Sequence, residues 1–418
     1  MKGRQTRRRH SRWAAVSIAT AIALVGAACG SSENSAGGTA GSADIKIGLG
    51  ALVVPGSYDA NKQYTAGINA ALGYIDEHGG WDGHRVETVG CTSPGDPASD
   101  LKCYREFIDE KTVAVLGLMS SSSTYLPKLE AAGIPSFVTG NTVAEEESSW
   151  HIGSPGIIES YTTTARYACA KGVKNITIFQ QDYPTARAAQ GVLAAGIFTA
   201  CGIQVNNVYM PFGTADPAPY VQQAVSTKPD LLFISGQALP ITTFLATITA
   251  AGFPIDKVIT VPTGTKGWLA DPKAPGIRII TRSGYPVEQS TDPDVQTFLK
   301  YMQKYSPGTD PVEGSLSLPA FSQILMIWDA AKAIGFDKLT GQALHDYMNN
   351  EAPGKLKIFS AHGTVVVPPR FVGVKDPYQR VLRWTGTELA DEGWWASDWA
   401  CTSVTDCASL DPPTGSKA

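Results

Sequence analysis

From residue 44 the apolar positions switch repeatedly between two periods. Ile45-Lys46-Ile47-Gly48-Leu49-Gly50 alternates as a short strand, and residues 63–78 then place Tyr64, Ile68, Ala71 and Ile75 on one helical stripe that Gly79-Gly80 ends. Residues 85–89 read as a strand, 96–109 as a helix with Leu101, Tyr104, Phe107 and Ile108 apolar, and 113–118 as a buried strand. A helix over 123–132 and a strand over 134–138 follow. Repeated strand–helix units predict a parallel sheet with helices on both faces.

The pattern then restarts. Helices are expected over 160–171, 186–200, 217–227 and 239–251, and strands over 175–179, 204–209, 231–235 and 257–261. Helices at 292–305 and 320–334 come next, then short strands near Val365 and Val381. No short repeat period is present. The body of about 375 residues exceeds what one core organises, so two lobes are expected, each with its own sheet.

Ahead of the body lies a different composition. Lys2, Arg4, Arg7, Arg8, Arg9 and Arg12 precede an apolar run, 13–25, too short for a spanning helix of ~20 residues. Val25-Gly26-Ala27-Ala28-Cys29 then sets small residues before a lone cysteine, the pattern that a lipoprotein signal peptidase cleaves and a diacylglyceryl transferase modifies. Residues 1–28 are therefore expected to be a signal peptide, Cys29 the lipidated residue, and the Gly/Ser/Ala-rich 29–44 a flexible tether. Gly26 stands where leucine is commonest, and ordinary secretion with Cys29 unmodified is the alternative. Thr6-Arg7-Arg8 leaves twin-arginine export open beside the general route. Each buried acyl methylene contributes ~0.8 kcal/mol, so two chains hold a protein on a membrane surface.

The chain has 34 basic and 38 acidic residues; removal of the six basic residues of the leader leaves 28 against 38, a net of −10. No basic patch occurs in the body, which argues against nucleic acid as a partner. Six cysteines follow Cys29. An even number outside the cytoplasm suggests disulfides, and the first assignment is Cys91–Cys103, Cys401–Cys407 and, by remainder, Cys169–Cys201, although six cysteines allow 15 pairings. No Cys-x-x-Cys is present and the six histidines are scattered, so no metal and no cofactor is expected.

Several segments carry a resemblance. Ile45-Lys46-Ile47-Gly48 opens the body; Gly67-Ile68-Asn69-Ala70-Ala71 lies in the first helix and is followed by Ile75-Asp76-Glu77-His78-Gly79-Gly80-Trp81-Asp82-Gly83. Asp96-Pro97 begins the next helix, Gly117-Leu118-Met119-Ser120-Ser121-Ser122-Ser123-Thr124 forms a serine-rich turn, and Gly133-Ile134-Pro135 starts the next strand. In this order they resemble the branched-chain amino-acid-binding proteins of ABC importers, with the type I periplasmic-binding fold. The resemblance implies an α/β chain of two lobes, each a parallel sheet flanked by helices, joined by three crossings. One lobe would take 45–155 and 286–359, the other 156–285 and 360–398, with 399–418 as a tail. It also implies a ligand cleft between the lobes beyond the strand carboxyl ends, hinged closure, and a membrane permease as partner, with the chain acting as a monomer.

Candidate ligand-binding residues follow from the same likeness. The Ser120–Thr124 turn offers hydroxyls and helix-start N–H groups suited to a carboxylate, and the family position matching Ser121 holds one; a plain helix cap is the ordinary alternative. The positions matching Gly140 and Thr142 supply a carbonyl and a hydroxyl. Tyr183 matches an aromatic wall of the cleft and Tyr58 is a candidate cover from the other side; either is otherwise ordinary packing. The family's amino-acid binders pair the ligand ammonium with a glutamate where this chain has Thr263, and Gly236-Gln237-Ala238 lacks a tyrosine usual at that turn. Asp182 is a candidate replacement charge. A small carboxylate, an amide or another polar metabolite is thus as credible as an α-amino acid.

Glu145-Glu146-Glu147 reads as a solvated helix start. Trp394-Trp395 and Trp399 read as packing for the end of the chain. Residues 411–415 are expected to be disordered.

Three functions compete. The first is a solute-binding lipoprotein of an ABC importer, outside the cell. The second is a non-transport sensor or envelope lipoprotein on the same fold. The third, a serine hydrolase using 120–123, lacks a Gly-x-Ser-x-Gly elbow, and the sequence assigns it no histidine with an orienting carboxylate. The chain is therefore expected not to be an enzyme.

Overall fold

The computed structural model describes residues 44–54, 58–118, 125–138, 148–152, 157–182, 187, 195–211, 214, 216–235, 241–261, 269–281, 293–310, 316–352, 357–360, 363–366 and 378–396. The expected signal peptide, Cys29, residues 30–43 of the expected tether, the expected Cys401–Cys407 pair and the expected tail lie outside them.

Strand β1 (Ile45–Val54) is the axis of the first sheet. It pairs in parallel with β3 (Val86–Ser93) on one side and β4 (Ala114–Leu118) on the other, and β4 pairs in parallel with β5 (Ser136–Val138). A two-residue strand, β2 (Tyr58–Asp59), folds back antiparallel on the end of β1. Helix α1 (Ala60–Glu77) starts where Asp59 accepts a hydrogen bond from the Lys62 backbone N–H, a side-chain cap for an otherwise orphaned donor. Helix α2 (Pro97–Asp109) is capped the same way by Asp96 and fixed to β3 by the Cys91–Cys103 disulfide, Cα atoms 5.5 Å apart. The short α3 (Leu126–Ala131) leads into β5.

The second sheet has the order β14-β13-β10-β9-β8-β6-β7. Its parallel part comprises β6 (Asn175–Gln181), β7 (Gln204–Met210), β8 (Leu231–Ser235), β9 (Val258–Thr260) and β10 (Arg278–Thr281). The antiparallel β13 (Tyr378–Trp384) and β14 (Leu389–Ala396) extend it past β10. Helices α4 (Ile157–Ala170), α5 (Ala195–Ala200), α6 (Ala218–Ser226) and α7 (Ile241–Ala250) belong to this half. Tyr161, Ala165 and Ala168 of α4 share a buried apolar cluster with Ile178, Phe233, Ile280 and Val381 of the sheet. The second disulfide, Cys169–Cys201 with Cα atoms 5.7 Å apart, joins the ends of α4 and α5. Both pairings within the described residues match the sequence assignment.

After β10 come α8 (Pro293–Tyr305) and α9 (Ser317–Ile334), which return to α1 of the first half. Ser317 Oγ donates to the Gln63 carbonyl at 3.0 Å, and Tyr301 donates to Glu77 at 2.7 Å. Gly67 permits the close crossing, because a Cβ there would run into the Ser317 carbonyl oxygen. Helix α10 (Gly341–Asn350) and the hairpin β11 (Lys357–Ser360)–β12 (Gly363–Val366) follow.

This is the α/β class expected, with two large sheets besides the β11–β12 hairpin. The expected elements recur with shifted ends, while β2, β10, β11, β14 and α10 are additional. Arg278–Thr281 is too short to show a period, and Trp394-Trp395 belongs to β14, where Trp395 packs edge-on to Tyr167 at 5.5 Å.

Candidate functional site

In sheets of parallel strands, ligands bind beyond the carboxyl ends. In the first sheet β4 and β5 are direct neighbours, with Gly117 opposite Val138, and they end at Leu118 and Val138. The segments carrying Ser120 and Ser121, and Gly140 and Thr142, therefore leave from adjacent strand ends. These four residues themselves lie outside the described ones. Tyr58 sits in β2, paired with Val54, so its backbone is at the carboxyl end of β1. Beneath this rim the backbone is tightly held. Tyr64 of α1 donates a 2.9 Å hydrogen bond to the Gly117 carbonyl, and Gln323 of α9 donates at 2.8 Å to the Phe137 carbonyl. Gly117 has φ +127°, and a Cβ on it would collide with the Gly50 carbonyl oxygen.

The second sheet changes character along its strands. Ile176, Ile178, Phe179 and Leu231–Ile234 are apolar and buried, whereas the last residues, Gln180, Gln181, Ser235 and Thr260, are polar and equally buried. Gln180 stands opposite Ser235, and Ile234 opposite Thr260, so these groups occupy one edge of three adjacent strands. The buried phenol of Tyr161 donates to Gln180 Oε1 and also hydrogen-bonds the Ser235 side chain; burial pushes its ionisation upward, so it remains a neutral donor. Tyr183 and Thr263, which follow β6 and β9, lie outside the described residues.

Asp182, the candidate replacement charge, is already occupied. Arg187 meets its two carboxylate oxygens at 2.5 and 2.8 Å, and the guanidinium lies 3.9 Å from the centre of the Tyr209 ring. Hydrogen bonding to Arg187 holds the Asp182 carboxyl below its usual range. The polar edge formed by Tyr161, Gln180 and Ser235 was not among the sequence candidates. Its signal is the pair Gln180-Gln181 ending an apolar strand.

One further contact bears on catalysis. Ser149 Oγ lies 3.1 Å from His345 Nε2, and His345 Nδ1 lies 2.9 Å from Asp346. Trp150 stacks on the imidazole at 3.9 Å, and Asn349 donates to the Ser149 carbonyl at 3.0 Å. The neighbouring His151 bridges to Ser136, the first residue of β5, so this group clamps 148–152 to α10 at the amino end of the strand, away from its carboxyl end. Among the described residues no group of three or more His, Cys, Asp or Glu is placed to hold a metal ion.

The family model for "Periplasmic binding protein" matches residues 44–376. No curated protein matches the chain. Among solved structures, a leucine binding protein from Thermotoga maritima is similar at 15% identity and a TM-score of 0.67, covering 84% of this chain and 99% of that one. A solute binding protein of an ABC transporter from Rhodopseudomonas palustris, in complex with p-hydroxybenzoic acid, is similar at 21% identity and 0.68, covering 85% and 98%. A fatty acid ABC transporter substrate-binding protein from Thermomonospora curvata is similar at 16% and 0.69, covering 85% and 93%.

Proposed function

We propose that this chain, which belongs to the periplasmic binding protein family, captures a small carboxylate outside the cell and presents it to the permease of an ABC importer. Cys29 carries the lipid that holds it at the membrane, and residues 29–44 give the body reach. The ligand sits in a cleft between two lobes, 45–155 with 286–359 and 156–285 with 360–398.

The observation that carries the carboxylate reading is the adjacency of the β4 and β5 ends. It lets the hydroxyls and N–H groups of 120–124 act together with Gly140 and Thr142 on one anion. Tyr183 and Tyr58 supply aromatic walls. Two features favour a ligand without an ammonium: Thr263 replaces an acid, and Asp182 is neutralised by Arg187. A buried ammonium without an ionised partner is costly. The similar proteins named above, a leucine binder, a p-hydroxybenzoic acid complex and a fatty acid protein, have a carboxylate in common among their ligands.

A thermal-shift screen tests this, followed by calorimetry with benzoate, 4-hydroxybenzoate, a short fatty acid, leucine and a neutral amide. Stabilisation by a carboxylate, with leucine weaker, is the expected result, because a ligand that binds only the folded state raises its apparent stability. Silence from every carboxylate, or stabilisation by the neutral amide alone, would overturn it. Membrane fractionation of Cys29→Ser tests the anchor; retention at the wild-type level would refute lipidation at that residue.

A further inference from the structure

Strand β13 brings residues from late in the chain to the carboxyl edge of the second sheet. Strand β13 runs antiparallel to β10, and Arg380 stands opposite Thr281, the last residue of β10. Gln379 therefore lies one step further, at the same edge of the sheet as the carboxyl ends of the parallel strands. Alternation puts its side chain on the face of Val381, which packs with Tyr161 and Phe233 beneath α4. Ser235 follows Phe233 by two, and Gln180 follows Ile178 by two, so both share that face.

Gln379 is fully buried, yet neither its Oε1 nor its Nε2 has a hydrogen-bond partner. A buried amide with both ends unsatisfied carries a desolvation cost at each, and native chains rarely keep such groups without a use. The Gln379 amide offers one carbonyl acceptor and two N–H donors. That set matches a neutral group that both donates and accepts, a hydroxyl or a primary amide, and it is poorly suited to a bare methyl or methylene.

We infer that Gln379 is a specificity-determining position that reads a hydroxyl or amide at the end of the solute away from its carboxylate. This rests on the carboxylate reading above and deepens it. Tyr161 already bonds both Gln180 and Ser235, whereas the Gln379 amide on this face keeps free capacity.

The test is calorimetry on the full chain with benzoate and 4-hydroxybenzoate, which differ by one hydroxyl. The wild-type chain is expected to bind the hydroxylated acid about tenfold more tightly, the worth of one good hydrogen bond. Gln379→Met, close in volume, should erase that preference and change benzoate affinity by less than about threefold. Thermal melting of the variant verifies folding. On the wild-type chain, the side-chain amide signal of Gln379 in a ¹⁵N-correlated NMR spectrum should move with 4-hydroxybenzoate and not with benzoate. A preference that survives in a folded Gln379→Met, or an amide signal unmoved by both acids, overturns the assignment and leaves the carboxylate reading standing. A wild-type chain that binds neither acid overturns the assignment, and the carboxylate reading falls with it if the short fatty acid and leucine are silent too.

Discussion

The phenol of Tyr64 donates to the backbone carbonyl of Gly117, 53 residues away, at 2.9 Å with both residues in the buried core. This contact joins α1 to β4 at the point where the chain leaves for Ser120 and Ser121. Removing the hydroxyl leaves a buried carbonyl with one partner fewer. Tyr64→Phe is expected to lower stability by ~1–2 kcal/mol and to weaken carboxylate binding through the displaced strand end. Urea midpoints and calorimetry measure the two effects; an unchanged midpoint would remove the contact from the account.

Gly117 itself admits no side chain. Its φ of +127° disfavours any L residue, and a Cβ would strike the Gly50 carbonyl oxygen on the neighbouring strand. Gly117→Ala is expected to accumulate poorly or melt far below the wild type. A soluble variant with a wild-type melting temperature would show that the β1–β4 approach relaxes at little cost.

The two described disulfides close loops of different length, with separations of 12 and 32 residues. Chain-entropy reasoning gives ~3 kcal/mol for Cys91–Cys103 and ~4 kcal/mol for Cys169–Cys201. Double Ala variants of each pair, compared by guanidinium unfolding, should rank in that order. The reverse order would point to strain or residual structure instead of loop closure.

Glu77 gathers Lys304, Tyr305 and Tyr301, which together hold its carboxyl down at about 2, against an ordinary 4.5. A depressed carboxyl stabilises the fold above its unfolded value and loses that contribution as pH falls through the folded one. The packing of α8 on α1 should thus weaken between about pH 4.5 and 2. Melting temperatures across this window should fall less steeply in Glu77→Gln than in the wild type. Identical slopes would contradict the assignment.

In the proposed ligand site, Ser121→Ala should weaken a carboxylate ligand by ~1–3 kcal/mol, the cost of losing a hydrogen bond to a charged group. Thr263→Glu should improve α-amino-acid binding, because Asp182 is held by Arg187 and does not compete for that role. Calorimetry across an amino-acid panel settles the second point; no gain for any member would place Thr263 away from the ligand ammonium.

Much of this molecule follows from local chemistry. The alternation of periods two and 3.6, with glycines after helices and Asp59 and Asp96 before them, determines which segments are strands and helices, because those preferences act over a few residues. The close spacing of Cys91 and Cys103 falls in the same class. Only the tertiary structure decided which strands are neighbours, that α8 and α9 return to α1, that Asp182 is neutralised by Arg187, and that Gln379 reaches the carboxyl edge of the second sheet. Each of these joins residues through space by burial, register or charge pairing, and short-range pattern carries no record of which distant partner wins.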